Sequence, residues 1–514
     1  MFACCPKGGG MTAFPRRTVL RAALLGLAAA PVAACGPALV TTRPRLTHGV
    51  ASGFPRTDGA VIWARSDRPA SLIVETAATE SFSDARRFTG PLLTPDADGT
   101  GRIRLTGLPA DSEVHYRVTL DADGALSEPA TGVFRTAPAT ARDVRLIWSG
   151  DVAGQGFGIN PDIGGMTVFR TMAERNPHFF IHSGDTVYAD VPIPETLPLP
   201  DGRIWRNEVS EAKSAVAQTL DQYRGQHAYN LTDANYRYFN AHVPQLVQWD
   251  DHEVINNWYP GEVLDNDKYT EKRVDILAQH GHRAFHEWQP LEAREAVDGR
   301  VYQRVSYGPL LDVFLLDMRS YKDPNSPNRQ QHGTILGARQ AGWLVNEMAS
   351  STAVWKVVAN DLPLALAVPD GKTDFEAVAN GDNGLPLGRE TELAHILSQL
   401  KARKVRNVIW LTADVHYTAA HEYSPTRAAF TDFDPFWEFV SGPLNAGAGK
   451  ESTLDGTFGP RADFVHAAPP GKQSPLDGYQ HFGQVDIDGD SGDLTVTLCD
   501  AAGTALYTRT LARS

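Results

Sequence analysis

Five apolar runs in this chain each end on an acid, and that recurrence constrains the fold more than any other feature. Residues 144–149 lead into Gly150-Asp151, 178–183 into Gly184-Asp185, and 244–249 into Asp250-Asp251-His252. Residues 311–316 lead into Asp317, and 405–411 into Asp414-Val415-His416. Short apolar runs that alternate with helical stretches, such as the helix predicted over residues 166–174, are strands of an α/β fold. In such folds sites form where the carboxyl ends of strands converge. One strand ending in Asp is an ordinary turn. Five, three of them with His or Tyr close by, point to a site of carboxylates and imidazoles. Asp414 and His416 are two apart, so from one extended segment both face the same side.

Residues 46–140 read differently. Alternating runs at 60–64, 71–76, 101–105 and 113–120 are separated by Gly, Pro and Asp. Roughly seven strands in this stretch predict a small β-sandwich of immunoglobulin or fibronectin type. Residues 136–140, Thr-Ala-Pro-Ala-Thr, read as a linker. The predicted organisation is a leader over residues 1–34, a sandwich domain over 35–140 and a catalytic domain over 141–514. Residues 448–480 are rich in Gly, Pro, Ser and Asp, which suits a surface loop or a lid over the site.

The leader is recognisable by charge. Residues 1–34 hold Lys7, Arg16, Arg17 and Arg21 and no acid; removing these four positive charges from the net −13 leaves −17 for the remainder. The pair Arg16-Arg17 stands before the Ala/Leu-rich stretch 23–34, the form of a twin-arginine signal peptide. Export to the periplasm or the cell exterior by the twin-arginine machinery is the expectation. Val32-Ala33-Ala34-Cys35 resembles a bacterial lipobox, which would make Cys35 a lipid anchor; an ordinary cleavage nearby is the alternative. Met11 is a second candidate start.

An acidic body disfavours nucleic acid and anionic membrane surfaces, and it suits a protein that recruits cations. The 514 residues hold four cysteines. Cys4, Cys5 and Cys35 belong to the leader and its junction, so Cys499 has no partner. The sequence therefore carries no disulfide framework and no thiolate zinc site.

In chain order the acidic and imidazole residues are Asp151, Gly184-Asp185-Thr186-Val187-Tyr188, Asp251-His252-Glu253, a helical His280, and Asp414-Val415-His416. A set of this kind suits a two-metal hydrolase, in which a shared carboxylate bridges two cations that clamp the attacking and leaving oxygens. The order resembles the calcineurin-like metallophosphoesterases in the tyrosine-containing arrangement of purple acid phosphatases. It is more similar still to the PhoD-like alkaline phosphatases. That wider likeness rests on residues 49–53 (Gly-Val-Ala-Ser-Gly), 184–188, 249–254 (Trp-Asp-Asp-His-Glu-Val), 316–321 (Leu-Asp-Met-Arg-Ser-Tyr) and 439–443 (Phe-Val-Ser-Gly-Pro).

The resemblance implies a metallophosphoesterase core of two stacked mixed β-sheets flanked by helices, after a small β-sandwich. It implies Fe(III) held by Asp151, Asp185, Tyr188 and His416. A second divalent metal (Ca, Mn, Fe(II) or Zn) would be held by Asp185, Asp251, His280 and Asp414, with His282 and His286 as alternatives to His280. His252 would be a general acid and Arg170 a phosphate-binding arginine. The implied reaction is in-line attack on a phosphate ester by a metal-bound hydroxide. Relatives often place Cys where Asp151 stands, and the purple acid type has Asn and His where Asp251 and Asp414 stand, so the donor set is a hybrid. Asp250 reads as a turn cap, and Asp317 and Arg319 as a structural pair. Asn360, Asp361, Gly442-Pro443 and Gly447 are candidates for the cleft wall. The rival readings are a phosphodiesterase or phospholipase D-like enzyme acting on lipid or cell-wall diesters, and a non-catalytic lipid-anchored binding protein.

Overall fold

The computed structural model describes residues 43–292 and 300–514. The expected leader, its lipobox and the first residues of the expected sandwich domain lie outside the described residues. No helix among the described residues is long and apolar enough to cross a membrane.

The first strands are β1 (Leu46–Arg56), β2 (Gly59–Ser66), β3 (Ala70–Ala77), β4 (Arg86–Leu93), β5 (Thr100–Arg104), β6 (Glu113–Ala122), β7 (Ala125–Leu126) and β8 (Ala130–Arg135). Strands β4-β3-β6-β7, with β8 on β6, make one sheet, and β1, β2 and β5 pack over it. Alternation builds the core between them. Ile62 and Ala64 of β2 meet Leu72 and Val74 of β3 and Val118 and Leu120 of β6. The opposite face of β2 is also buried: Val61 and Trp63 turn toward the rest of the molecule.

That double burial has a topological cause. β1 pairs in parallel with β13 (Gln245–Gln248) at Gly53 and Gln245, so one layer of the sandwich continues a larger sheet. A side chain on Gly53 would sit 2.5 Å from the Pro290 carbonyl oxygen and 2.8 Å from that of Gln245, so only glycine admits this approach. The described residues form one compact unit. The expected linker is not a free tether: Thr136 and Ala137 are buried and donate to Ser112 O and Arg56 O.

The rest of that sheet comes from β9 (Val144–Ser149), β10 (Phe179–Ser183) and the C-terminal strands β23 (His481–Ile487), β24 (Leu494–Asp500) and β25 (Ala505–Leu511). Its order is β25-β24-β23-β9-β10-β13-β1-β2-β5, with β9, β10 and β13 parallel. Short hairpins lie between the main strands: β11 (Thr196–Pro198) with β12 (Ile204–Arg206), and β17 (Pro369–Asp370) with β18 (Asp374–Phe375). The second large sheet is built from β14 (Gln303–Tyr307), β15 (Leu311–Leu315), β16 (Trp355–Ala359), β19 (Val408–Thr412), β20 (Thr418–Tyr423), β21 (Phe436–Val440) and β22 (Pro460–His466). Its order is β14-β15-β16-β19-β21-β20-β22, with β15, β16, β19 and β21 parallel.

The two large sheets stack face to face. Leu146, Trp148, Ile181 and Val247 of the first share one core with Val313, Val357, Ile409 and Leu411 of the second. Helices cover the outer faces. α1 (Val168–Glu174) and α3 (Ala234–His242) cover the first sheet, with Phe169, Met172 and Phe239 against Ile147 and Phe180. α5 (Gly337–Ser350) and α6 (Glu390–Ala402) cover the second, with Leu344 and Leu397 in one cluster with Phe314, Val358 and Trp410. α2 (Leu220–Asn230) and α4 (Val274–Trp288) pack on each other. Residues 448–480 are not loop throughout: they include β22, paired to β20.

Candidate metal centre

Parallel strands of both sheets end at or beneath one cleft; β15, which leads to Asp317, does not line it. β9 delivers Asp151, β10 Asp185, β13 Asp250 and Asp251, β16 Asp361 and β19 Asp414. Three of these acids leave their strand in the left-handed backbone region: Asp151 at φ 68°, Asp185 at 48° and Asp414 at 67°, with His416 at 60°. Asp and His enter this region more readily than other side chains. Such conformations cost free energy and cluster where a structure must aim a side chain.

Asp151, Asp185 and His416 form the first group, with one ligand atom from each within 4.8 Å of the others. Asp151 is 0% exposed, and neither carboxylate oxygen has a hydrogen-bond partner. His416 Nε2 lies 3.5 Å from Asp151 Oδ1 and 2.9 Å from the Tyr188 hydroxyl. His416 Nδ1 lies 2.5 Å from the Gly447 carbonyl, which only accepts, so Nδ1 carries the proton and Nε2 offers a lone pair. Burial pushes this imidazole down to about 4, which keeps it neutral. Burial, then Asp185 and Asp151, hold the Tyr188 phenol well above its usual range. A phenolate at Tyr188 therefore needs a cation beside it. Gly442 completes the pocket: a Cβ there would stand 2.1 Å from Asp151 Oδ2.

Asp185, Asp251 and His252 form the second group on the same distance criterion, so Asp185 belongs to both. His252 Nδ1 lies 2.6 Å from Asp190 Oδ1, and both side chains are nearly buried. Burial lowers the affinity of this imidazole for its proton, but Asp190 and Asp251 outweigh it and raise the group to about 10. Burial likewise pushes Asp251 up, while His252, Arg319 and the Asn257 N–H more than offset it and hold it at about 2. Asp414 lines the same cleft, and its Oδ1 is 3.7 Å from Arg319 Nη2.

Arg319 is the hub beneath the floor. It is fully buried, with Nε 2.5 Å from Asp250 Oδ1 and Nη1 2.7 Å from Glu376 Oε2. Asp250 is thus one half of a buried ion pair rather than a turn cap. Asp317 does not pair with the Arg319 guanidinium; it accepts from Trp249 Nε1 and from the backbone N–H groups of Arg319 and Ser320. Asp361 is buried below the cleft, not on its wall. Glu253 locks the two acidic turns together, accepting from the Thr186 N–H and hydroxyl and from the Asp250 N–H.

Counted together, Asp151, Asp185, Asp250, Asp251, Glu253, Asp361 and Glu376 are buried carboxyls, and Asp414 is nearly so. The cations among them are Arg319 and His252, while burial and then Arg319 hold the Lys322 ammonium down to about 7. Burial first, and neighbouring acids next, hold Asp151, Asp185, Asp361 and Asp414 well above the usual carboxylate range. Full ionisation of this set requires added positive charge, and its oxygen-rich donors fit hard cations.

Two of the expected residues are not brought in. Arg170 is exposed on α1; its guanidinium stacks 3.6 Å from the Tyr238 ring centre and donates to Asn235. The buried face of α1 is Val168, Phe169 and Met172, which turns Arg170 outward. His280 is half-buried on α4 with its ring 6.5 Å from that of Tyr223, and it does not line the cleft. Its alternatives are engaged elsewhere: His282 and His286 bond to each other, and His282 packs on Trp249. Asp190, Glu376 and Lys322 went unread in the sequence. Asp190 alone carried a signal, two positions past Tyr188 on the same turn.

The cleft above this floor encloses about 720 Å³. Gln155, Asn256, Asn257, Asp370, Gly447, Lys450 and Gln473 are among its wall residues.

Against known proteins, a model described as PhoD-like phosphatase matches residues 146–498, and one described as PhoD-like phosphatase, N-terminal domain, matches residues 31–138. Alkaline phosphatase D of Bacillus subtilis (strain 168) is 28% identical over 396 residues, 72% of this chain. The match spans 64% of that relative, less than two thirds of its length. A solved structure of PhoD superposes with a TM-score of 0.68 at 22% identity, covering 91% of this chain and 92% of that one, a likeness of fold. The first of these models runs from within β9 to within β24 and takes in every acid of the cleft floor, and on that match the chain belongs to the PhoD-like phosphatase family.

Proposed function

We propose that this protein is an exported, metal-dependent phosphoric ester hydrolase of the alkaline phosphatase type, with iron in a dinuclear centre. The observation that carries the reading is Asp151: a fully buried carboxylate, both oxygens unpartnered, facing Asp185 and the lone pair of His416. Asp151, Asp185, Tyr188 and His416 suit Fe(III), because a phenolate favours a trivalent ion. With His280 absent and His252 kept as the proton donor, Asp185, Asp251 and Asp414 would make an oxygen-only set that suits Ca, Mn or Fe(II) better than Zn. Cations bound there supply water acidic enough to serve as nucleophile at ordinary pH and charge to hold phosphoryl oxygens.

The chain's own residues do the rest. Asp185 belongs to both groups and fixes their spacing. Asp190 holds His252 Nδ1, leaving the other ring nitrogen to give a proton to the departing oxygen. Arg319 keeps Asp250, Asp251 and Asp414 in place from below. The open polar cleft admits esters larger than phosphate itself, so diesters are the second reading. Arg16-Arg17 and the apolar stretch behind them support export to the periplasm or beyond, and the lipobox-like residues 32–35 support a lipid at Cys35 as a membrane attachment.

Metal content and colour of the protein purified from its own export route test the reading. About one iron per chain, with a visible band lost in Tyr188→Phe, is expected. Colourless protein holding only divalent metal refutes the iron assignment. Matched monoester and diester substrates then decide preference, and Asp185→Asn abolishes both activities if the centre is catalytic.

A further inference from the structure

The cleft is far larger than a phosphoryl group and falls within the roughly 300–1,000 Å³ of pockets that take whole small molecules. Its floor is consumed by the metal donors, so selectivity among esters must come from the mouth. There the charges are unequally engaged. Asp370 has both oxygens occupied, by Asn257 Nδ2 at 3.1 Å and Asn325 Nδ2 at 2.9 Å. Glu376 is paired with Arg319. Lys450 is the one Lys or Arg among the described residues of the wall, and it is exposed with no ion pair or hydrogen bond.

The backbone on either side of Lys450 is fixed. Gly449 N donates to His416 O at 2.7 Å, and Ala468 N donates to Gly449 O at 2.9 Å. Ser452 N donates to the Tyr417 hydroxyl at 3.2 Å, and Ala367 N to Thr453 O at 2.9 Å. The ammonium group therefore hangs on a flexible stem from a point held in register with His416. A free cation at a fixed offset from a phosphate-binding floor selects for a second negative charge.

We infer that Lys450 binds an anionic group on the alcohol portion of the substrate, a carboxylate or second phosphate, and that the enzyme prefers such esters to neutral ones. This rests on the phosphoesterase reading above. The test uses the metal-loaded protein and two matched substrates, the phosphate ester of 4-hydroxybutanoic acid and that of its carboxamide. At low ionic strength the wild type is expected to favour the carboxylate in kcat/KM by about threefold to fivefold, through KM, with the preference shrinking as salt rises. Lys450→Arg keeps the preference, Lys450→Ala brings the ratio to about one, and Lys450→Glu inverts it. A wild-type ratio of one, or a ratio unmoved by Lys450→Glu, overturns the inference. Hydrolysis of neither ester by the metal-loaded wild type overturns instead the phosphoesterase reading, and the inference falls with it.

Discussion

Asp190→Asn isolates the proton-donating role of His252. The carboxylate has two tasks: Oδ1 holds His252 Nδ1 at 2.6 Å and Oδ2 accepts from Asn256 N at 3.0 Å. Asn keeps the shape but offers one oxygen for both donors and no charge. A hydrogen bond to a charged group contributes about 1.5–3 kcal/mol, and removing the charge roughly halves it. The imidazolium thus loses about 0.75–1.5 kcal/mol of support, or about threefold to twelvefold in a rate that depends on its orientation and proton. The assay is kcat on aryl phosphates of graded leaving-group pKa, with metal content checked to be equal in both proteins. The loss should be greatest for phenol-like leaving groups and smallest for 4-nitrophenolate, which departs without a proton. An equal loss across the series, or none, would refute the assignment of His252 as the acid.

Two further substitutions probe the floor and the packing around it. Gly442→Ala places a methyl group 2.1 Å from Asp151 Oδ2, so iron per chain should drop along with activity while the far-ultraviolet circular dichroism stays unchanged; full iron occupancy would show that Asp151 is not a ligand. Glu390, at the start of α6, accepts from Asn380 Nδ2 and Leu387 N, and burial and then Asp455 push its carboxyl from 4.5 up to about 8. Between those values the unfolded chain has released a proton that the folded chain keeps, so wild-type stability falls as pH rises, by up to about 1.4 kcal/mol per unit. Glu390→Gln lacks that slope and should gain on the wild type by about 2–4 kcal/mol between pH 5 and pH 8 in denaturant titrations; parallel pH profiles would contradict it.

Much of the centre was legible because it obeys local rules. A buried parallel strand is a short apolar run, and the residue after it emerges on the site side. That brings Asp151, Asp185, Asp251 and Asp414 to one region, but the same rule also put Asp317 there, and Asp317 instead accepts from Trp249 Nε1 and the Arg319 and Ser320 N–H groups outside the cleft lining. His416 reaches the cleft by another route than the extended segment its two-residue offset suggested: Asp414 and His416 both stand at positive φ. Helical residues were less legible. The inward face of α4 is Leu277, Gly281, Ala284, Phe285 and Trp288, and its rotation sets His280 beside Tyr223. Arg170 was misplaced although the pattern Val168, Phe169, Met172 already turned it outward.

The sequence by itself determined the strands, the acids at their ends and the two-layer character of residues 46–135, because these follow from periodicities of two and of 3.6 residues. Only the tertiary structure decided which charges share a buried volume. Arg319 meets Asp250 and Glu376 across 69 and 57 positions of chain, and His252 meets Asp190 across 62. Those pairings have no local signature, because an electrostatic interaction depends on separation in space and on loss of water, and both are set only when the two sheets close on each other.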